Sequence, residues 1–505
     1  MSVSGHESTN LYHESDHRWV PGYEVYDDKL IIHDPVWGDC EIGQEPGDEV
    51  LLNMLDNSLV RRTMAIEQLS LDPLTATIPS TTGFSRWEHV WGSVAFVRKM
   101  TEDTDMTSRD RLNLQLRTFV SDLGHTAYSH QGDWLFQGMG GPENQHDNEL
   151  KHLLEVSGIA DVLRHHDIQP EEVVANDHED WIERPSPDLC VDRVDYGARE
   201  MQRWLNLDMS MWGMLRPESF ILDPSGQLVV ADHERALRFA KAYLLLSSEH
   251  WSEPVHRLQE LFQQHMTKHI LADSSTDLIV TLSEGLEGYH PRDLLYTVDA
   301  DITREMQFID TFLNTLRPLS EAIGLAKRRT FEWERKDQLA SFLRNDTNKF
   351  PRPLEHYGDY GQRLGKVSLL PSNLIVTPVA EQADVSDFGE NIYSVDFFLA
   401  PFKARQVDPL FYDDSGHVQR LSEADANYRS LAEQQARITR QAYVARLLVN
   451  SEVKLIIEEG IQDAQASWEA AIQRPRMDSE RFLRLLHEAE NMAAGYRFIN
   501  MHWYR

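Results

Sequence analysis

A chain of 505 residues with 41% hydrophobic residues and 12 tryptophans can bury a substantial core, which excludes a disordered polymer. Its 49 basic against 82 acidic residues give a formal net charge of −33, a surface that repels nucleic-acid phosphates, so no nucleic-acid partner is expected. The two cysteines, Cys40 and Cys190, lack metal-site or disulfide-scaffold spacing, and no apolar run approaches the ~18 residues a membrane span needs, so no membrane partner and a reducing, cytoplasmic location are expected.

Residues 1–25 lack periodicity and read as a flexible acidic arm. Between Tyr26 and Glu41, short apolar runs (Leu30-Ile31-Ile32, Val36-Trp37) are broken by Asp34-Pro35 and Gly38, which predicts a small β-hairpin. Helical spacing follows in Leu51, Leu52, Met54, Leu55 and Leu59, then Met64, Ile66 and Leu69. Further helices are expected over 86–101, 108–122, 146–164, 189–205, 234–249, 254–271, 301–322 and 421–449. Phe220 to Ala231 carries a second β-signal around Pro224-Ser225-Gly226. The stretch 357–365 lacks a phosphate-loop ending and reads as a plain loop, and the terminal aromatics Tyr496, Phe498, Trp503 and Tyr504 are expected to dock on the body or a neighbouring subunit. The expected fold is mainly α, with an arm over 1–25, a helical bundle with a small N-terminal β-hairpin over 26–345, and a mostly helical C-terminal region over 346–505.

Chemistry-bearing residues concentrate between Arg86 and Glu200: Arg86-Trp87-Glu88-His89, Asp122-Leu123-Gly124-His125 with His130 and Asp133, His146-Asp147, and Asp192-Arg193-Val194-Asp195-Tyr196. Imidazoles and carboxylates on separate helices can converge inside a bundle, and mixed N/O ligation suits Fe, Mn, Co, Ni or Zn rather than calcium. Arg61, Arg62, Arg86, Arg193 and Arg199 fall in the same third of the chain, so a positive pocket is expected inside an acidic exterior. Asp195 reads as structural, and Tyr128 and Trp134 as packing residues.

In order and spacing these segments, preceded by His33-Asp34-Pro35-Val36-Trp37-Gly38 and by Leu59 to Leu69, resemble the HD-domain phosphohydrolases, specifically the branch containing deoxynucleoside triphosphate triphosphohydrolases. The resemblance is good from about 27 to 245 and faint beyond. It implies an HD-type bundle, a homo-oligomer, a divalent metal ion (Mn, Fe, Mg, Co, Ni or Zn) and a nucleotide or other phosphate ester as substrate. Carried over residue by residue, it makes His89, Asp122 and Asp192 metal ligands. Arg86 becomes a phosphate contact, Arg193 and Tyr196 triphosphate contacts, and Gln68 a contact to sugar or base. His125, His130, Asp133 and His146 form the polar shell around the scissile phosphate, with His130 favoured for proton transfer.

One departure stands out: the histidine of the family's His-Asp pair is Ser121 here. A hydroxyl is a poor ligand for transition metals, so three strong ligands remain where the family has four. Either the enzyme works with a weaker or harder metal such as Mn or Mg, or recruits a neighbouring imidazole, or the fold binds a nucleotide or partner without turnover. A third class is another HD chemistry such as a phosphodiesterase or an oxygenase; the oxygenase would need a second metal, and so further His-Asp ligands that Ser121 makes harder to supply. Literal His-Asp pairs at His146-Asp147 and His166-Asp167 are alternatives, but only Asp122 is followed by Leu-Gly-His.

Overall fold

The computed structural model describes residues 23–26, 28–68, 84–138, 145–174, 181–204, 216–223, 227–272, 290–296, 298–299, 311–320, 342, 373–378, 393–402, 404–487 and 489. The expectations for residues 1–22, the turn 224–226, the loop 357–365 and the terminal aromatics lie outside them. The fold is mainly α. It opens on an antiparallel sheet of β1 (Tyr23–Val25), β2 (Leu30–Asp34) and β3 (Gly38–Ile42). The expected hairpin is β2–β3. It gains a third strand because Tyr23 to Val25 pair with Ile32 to Leu30, so the arm expected over 1–25 gives up its last three residues to the sheet. The Asp34 carboxylate accepts from the Val36 and Trp37 amides and closes the turn, with Gly38 following at φ +76°.

Among the described residues the bundle then runs through α1 (Asp48–Met54), α2 (Ser58–Arg62), α3 (Arg86–Thr101), α4 (Ser108–Val120), α5 (His130–Gly138), α6 (Gln145–Ser157), α7 (Ile159–His165), α8 (Pro170–Val173), α9 (Val191–Trp204), α10 (His233–Leu246) and α11 (Pro254–Ala272). α3 is buried on nearly every face, which marks it as the central helix rather than an amphipathic one. A capping box starts it: Ser85 accepts from the Glu88 amide while Glu88 accepts from the Ser85 amide. The single helix expected over 146–164 divides into α6 and α7 at Gly158, whose φ of +84° belongs to the left-handed region. α10 passes into a π-helical turn, Ser247–Trp251, before α11.

The C-terminal region carries strands as well as helices. β6 (Asn373–Pro378) and β7 (Tyr393–Leu399) flank β10 (Tyr443–Val449) in an antiparallel sheet, and β8 (Leu410–Tyr412) with β9 (Val418–Arg420) extends the hairpin of β4 (Phe220–Asp223) and β5 (Gln227–Val230) through a parallel β5–β8 pairing. The helix expected over 421–449 is therefore corrected. It comprises Leu421–Ala424 and Ala426–Thr439, and Tyr443 to Val449 turn into the central strand, where aromatic and β-branched residues pack well. Gln435, which breaks the apolar spacing of that helix, is fully buried because its amide is satisfied by Ser247 Oγ and Gln406. The helix Ser451–Ala471 packs on α11 in the same core as β10, whereas Val407, Phe411, Tyr428 and Leu431 share a core with α9 and α10. Among the described residues no helix is long and apolar enough to cross a membrane.

Candidate metal centre and phosphate pocket

Three helical segments converge on one point. His89 stands one turn into α3, Asp122 lies in the turn after α4, and Asp192 opens α9. His89 Nε2 is 3.1 Å from Asp122 Oδ2 and 3.1 Å from Asp192 Oδ1. On the other side of the ring, Nδ1 meets Asp195 Oδ2 at 2.7 Å, which fixes the ring and offers Nε2 to the other two carboxylates. Asp195 is buried and also accepts from Trp37 Nε1 and from Arg199, whose guanidinium bonds Asp34 too. This chain of contacts needs Gly92: a Cβ there would lie 1.4 Å from Arg199 Nη2. Sequence reasoning gave Asp195 a structural part; the structure makes it the group that orients His89.

Burial pushes the His89 imidazole down, but Asp122 and the other two carboxylates outweigh it and hold it well above the usual histidine range. Asp122 is pushed up by burial and pulled further down by Arg86 and His89, ending well below the carboxylate range. One imidazole and two carboxylates, their donor atoms within 4.8 Å of one another, fit a divalent transition-type cation. Ser121 is not in that group: its hydroxyl turns back on its own helix and donates to Thr118 O at 2.9 Å.

Beside this centre lies the imidazole shell. Gly124 permits it, because a Cβ there would sit 2.4 Å from the His146 carbonyl. Asp133 accepts at 2.8 Å from His146 Nδ1 and at 3.2 Å from His130 Nδ1, while His125 stacks on His146 with centroids 3.9 Å apart. The His125 Nε2 atom is 3.6 Å from Asp122 Oδ1 and joins the two groups. Burial lowers all three imidazoles, yet they end apart. Asp133 and Asp147 hold His146 at about 9, while His130, with Arg86 and Arg405 as cationic neighbours, falls to about 4 and His125 falls well below its usual range. Because His130 and His146 both spend Nδ1 on Asp133, these four residues read as a hydrogen-bonded shell rather than a second metal site.

Both groups open onto one cavity of about 480 Å³, which Gln68, Arg86, Arg193 and Tyr196 also line; His89 and Asp133 lie behind its wall, bonded to lining residues. Arg86 donates to Asp122 Oδ2 at 2.6 Å and to Ser129, whose backbone, like that of Tyr128, is left-handed. Arg193 donates to the Asp188 carbonyl, and the Tyr196 hydroxyl bonds that of Tyr243. Three arginines of the expected positive pocket are not there. Arg62 is buried against the carbonyls of Tyr296 and His125, Arg199 serves Asp195 and Asp34, and Arg61 lies 3.8 Å from Asp56. Trp134, expected to be packing, forms part of the wall, and His166 lies elsewhere, against Asn53. Sequence reasoning missed the far wall: Glu183, Glu200, Tyr243, Trp251 and Arg405. Glu200 accepts from Trp251 Nε1 at 2.6 Å, and burial lifts both Glu200 and Glu183 to about 8. The aromatic-and-acid spacing of α9 to α11 was the available signal for most of these; nothing around Ala404-Arg405-Gln406 marks it.

No family model matches the chain. It is 27% identical to the metal-dependent phosphohydrolase cns2 of Cordyceps militaris over 234 residues, 46% of this chain and 63% of that protein. It is 23% identical over 267 residues to the deoxynucleoside triphosphate triphosphohydrolase SAMHD1 of Danio rerio, 48% of this chain and 41% of that protein. The chain thus spans less than two thirds of the length of these relatives. A solved phosphohydrolase of Bacteroides thetaiotaomicron superposes loosely, with 14% identity, 82% of this chain and 98% of that chain covered, and a TM-score of 0.48. With its ordered His, Asp and Asp motifs and these curated relatives, the chain is related to the HD-domain phosphohydrolases.

Proposed function

We propose that the chain is a metal-dependent phosphohydrolase that splits a deoxynucleoside triphosphate into nucleoside and triphosphate. The observation that supports it most is the convergence of His89 Nε2, Asp122 Oδ2 and Asp192 Oδ1 beside an imidazole shell in a cavity that Arg86 and Arg193 share. His89, Asp122 and Asp192 would hold the ion, which when bound supplies Lewis-acid polarisation of a phosphoryl oxygen and acidifies water. The rest falls to side chains. Arg86, fixed by Asp122 and Ser129, and Arg193, fixed by Asp188, present guanidinium charge to the phosphates with little reorganisation. His146, kept charged by Asp133, holds a proton for the leaving 5′ oxygen, and His130, kept neutral, can accept one. The donor role that the resemblance gives His130 passes to His146 on this reading. The names of the relatives support the substrate class. A panel of deoxynucleoside triphosphates and simple phosphate esters, assayed with Mn, Fe, Co, Ni, Zn and Mg for triphosphate or phosphate release, tests it; no turnover with any pair contradicts it.

The protonation pattern has a pH signature. His146 keeps its proton below about 9, so kcat should fall as pH rises through that value. His146→Gln should lower kcat by about 10²–10⁴ and flatten that limb. The charged and titratable groups facing His146 are Asp133, Asp147, His125 and His130, and an unchanged alkaline limb in the variant would place the titration on another group.

Ser121 favours a second reading, in which a nucleotide is bound without turnover because the metal is too weakly held. Ser121→His is expected to tighten Mn binding at least about tenfold, about 1.4 kcal/mol, in equilibrium dialysis. An unchanged affinity would mean that position 121 does not reach the centre.

A further inference from the structure

The C-terminal region contributes Phe402, Ala404, Arg405 and Gln406 to the lining of the cavity. That stretch is anchored on both sides. The Phe402 amide donates to the Thr439 carbonyl at 3.0 Å and the Gln406 side chain to Gln435 at 2.8 Å. Ser186 Oγ donates to the Gln406 carbonyl at 3.1 Å, and the Asp408 amide to the Pro187 carbonyl at 2.8 Å. A backbone held in this way fixes where Arg405 points.

Arg405 differs from the other deeply placed arginines. Arg62, Arg86, Arg98 and Arg199 are each committed to carbonyls, a hydroxyl or carboxylates. Arg405 lines the cavity and lies over the Trp251 ring, 5.8 Å from its centroid, and among the described residues its guanidinium makes no hydrogen bond or ion pair. Its acidic neighbours are Glu200, which is committed to Trp251 and lifted by burial to about 8, and Glu260, which lies 3.5 Å from His256; neither reaches Arg405 as an ion pair. A cation that keeps its proton, lines a cavity and makes no hydrogen bond or ion pair among the described residues is arranged for an anion from outside the chain. The cavity thus holds Arg86, bonded to Asp122 of the metal centre, and Arg405 from the C-terminal region, both of them cationic neighbours of His130.

We propose that Arg405 binds phosphate oxygens remote from the scissile bond, so that the C-terminal region completes the site and selects polyphosphate esters over monoesters. This rests on the phosphohydrolase reading and assigns the residue that would select its substrate class. A phosphate chain offers oxygens to several cationic groups at once, which a single phosphate does less well.

The test uses the full-length, metal-free protein with inorganic tripolyphosphate and orthophosphate as probes, followed by calorimetry and by Trp251 fluorescence. Arg405→Ala should weaken tripolyphosphate binding by about 10–100-fold and leave orthophosphate within about threefold. Arg405→Lys, which keeps the charge but not the fork, should recover part of the loss. Arg405→Gln keeps most of the side-chain length without charge, and a melting temperature matching the wild type assures that a loss is local. In turnover, Arg405→Ala should raise KM for a nucleoside triphosphate about 10–100-fold, a larger factor than for an aryl phosphate monoester. Equal tripolyphosphate binding by wild type and Arg405→Ala would overturn the assignment and leave the phosphohydrolase reading standing. Hydrolysis of monoesters alone, without tripolyphosphate binding, would overturn the polyphosphate class. Absence of both binding and hydrolysis would overturn the underlying reading together with it.

Discussion

Asp122→Asn is expected to abolish metal retention and lower turnover by about 10³-fold or more, at a cost to stability as well. The two losses have different origins. Asp122 joins the His89 group through Oδ2, the same oxygen that accepts from Arg86 at 2.6 Å, and an amide there supplies neither the charge nor a strong ligand. Arg86 is itself buried and, among the described residues, keeps only Ser129 as a hydrogen-bond partner once that carboxylate is neutralised. Removing one partner of a buried ion pair costs about 3–5 kcal/mol, and the retained amide oxygen places Asp122→Asn toward the low end. Asp192→Asn separates the effects, because Asp192 lies more exposed and its contact here is with His89 alone among the three-donor group. It should lose metal and turnover to a similar degree while its denaturation midpoint moves little. A stable, metal-replete, active Asp192→Asn protein would remove Asp192 from the centre.

Gly92→Ala is expected to be among the most destabilising single-methyl additions available in the chain, about 3–5 kcal/mol by urea denaturation. The added Cβ would lie 1.4 Å from Arg199 Nη2 and 2.4 Å from Cζ. The guanidinium has little room to move, since it is fully buried between Asp34 and Asp195. Displacing it leaves two buried carboxylates without their cation and loosens the Asp195 contact that orients His89. Metal affinity should therefore fall about 10–100-fold although Gly92 touches no ligand, as expected for a lost outer-shell partner. A variant as stable as the wild type would show that α9 shifts without penalty and that the Asp34, Asp195 and Arg199 network does not fix the site.

The parts of the site that the sequence made legible are those with a local signature. His89 follows a capped helix start, Asp122 ends an apolar helix before Leu-Gly-His, and Asp192 to Arg199 repeat at helical spacing, so their residue types and order carried the information. Charge counting misled where it ignored partners. Arg62 and Arg199 sit among the right motifs, but backbone carbonyls and carboxylates across the fold consume them, and such long-range pairs leave no local trace. The same reason hides Arg405, more than 200 positions from the metal triad in sequence and delivered by a stretch anchored to Pro187 and Gln435. In the fold, helices with strong apolar periodicity were readable, whereas Tyr443 to Val449 looked like the tail of a helix. Their strand character comes from pairing with β6 and β7, which local spacing does not encode.

The most direct measurement is the metal content of untagged protein by mass spectrometry, after saturation with Mn and removal of free ion, for the wild type beside Asp192→Asn. One ion per chain is expected in the wild type and none in the variant. A wild type that holds no ion, or a variant that holds as much, would contradict a metal centre built on His89, Asp122 and Asp192.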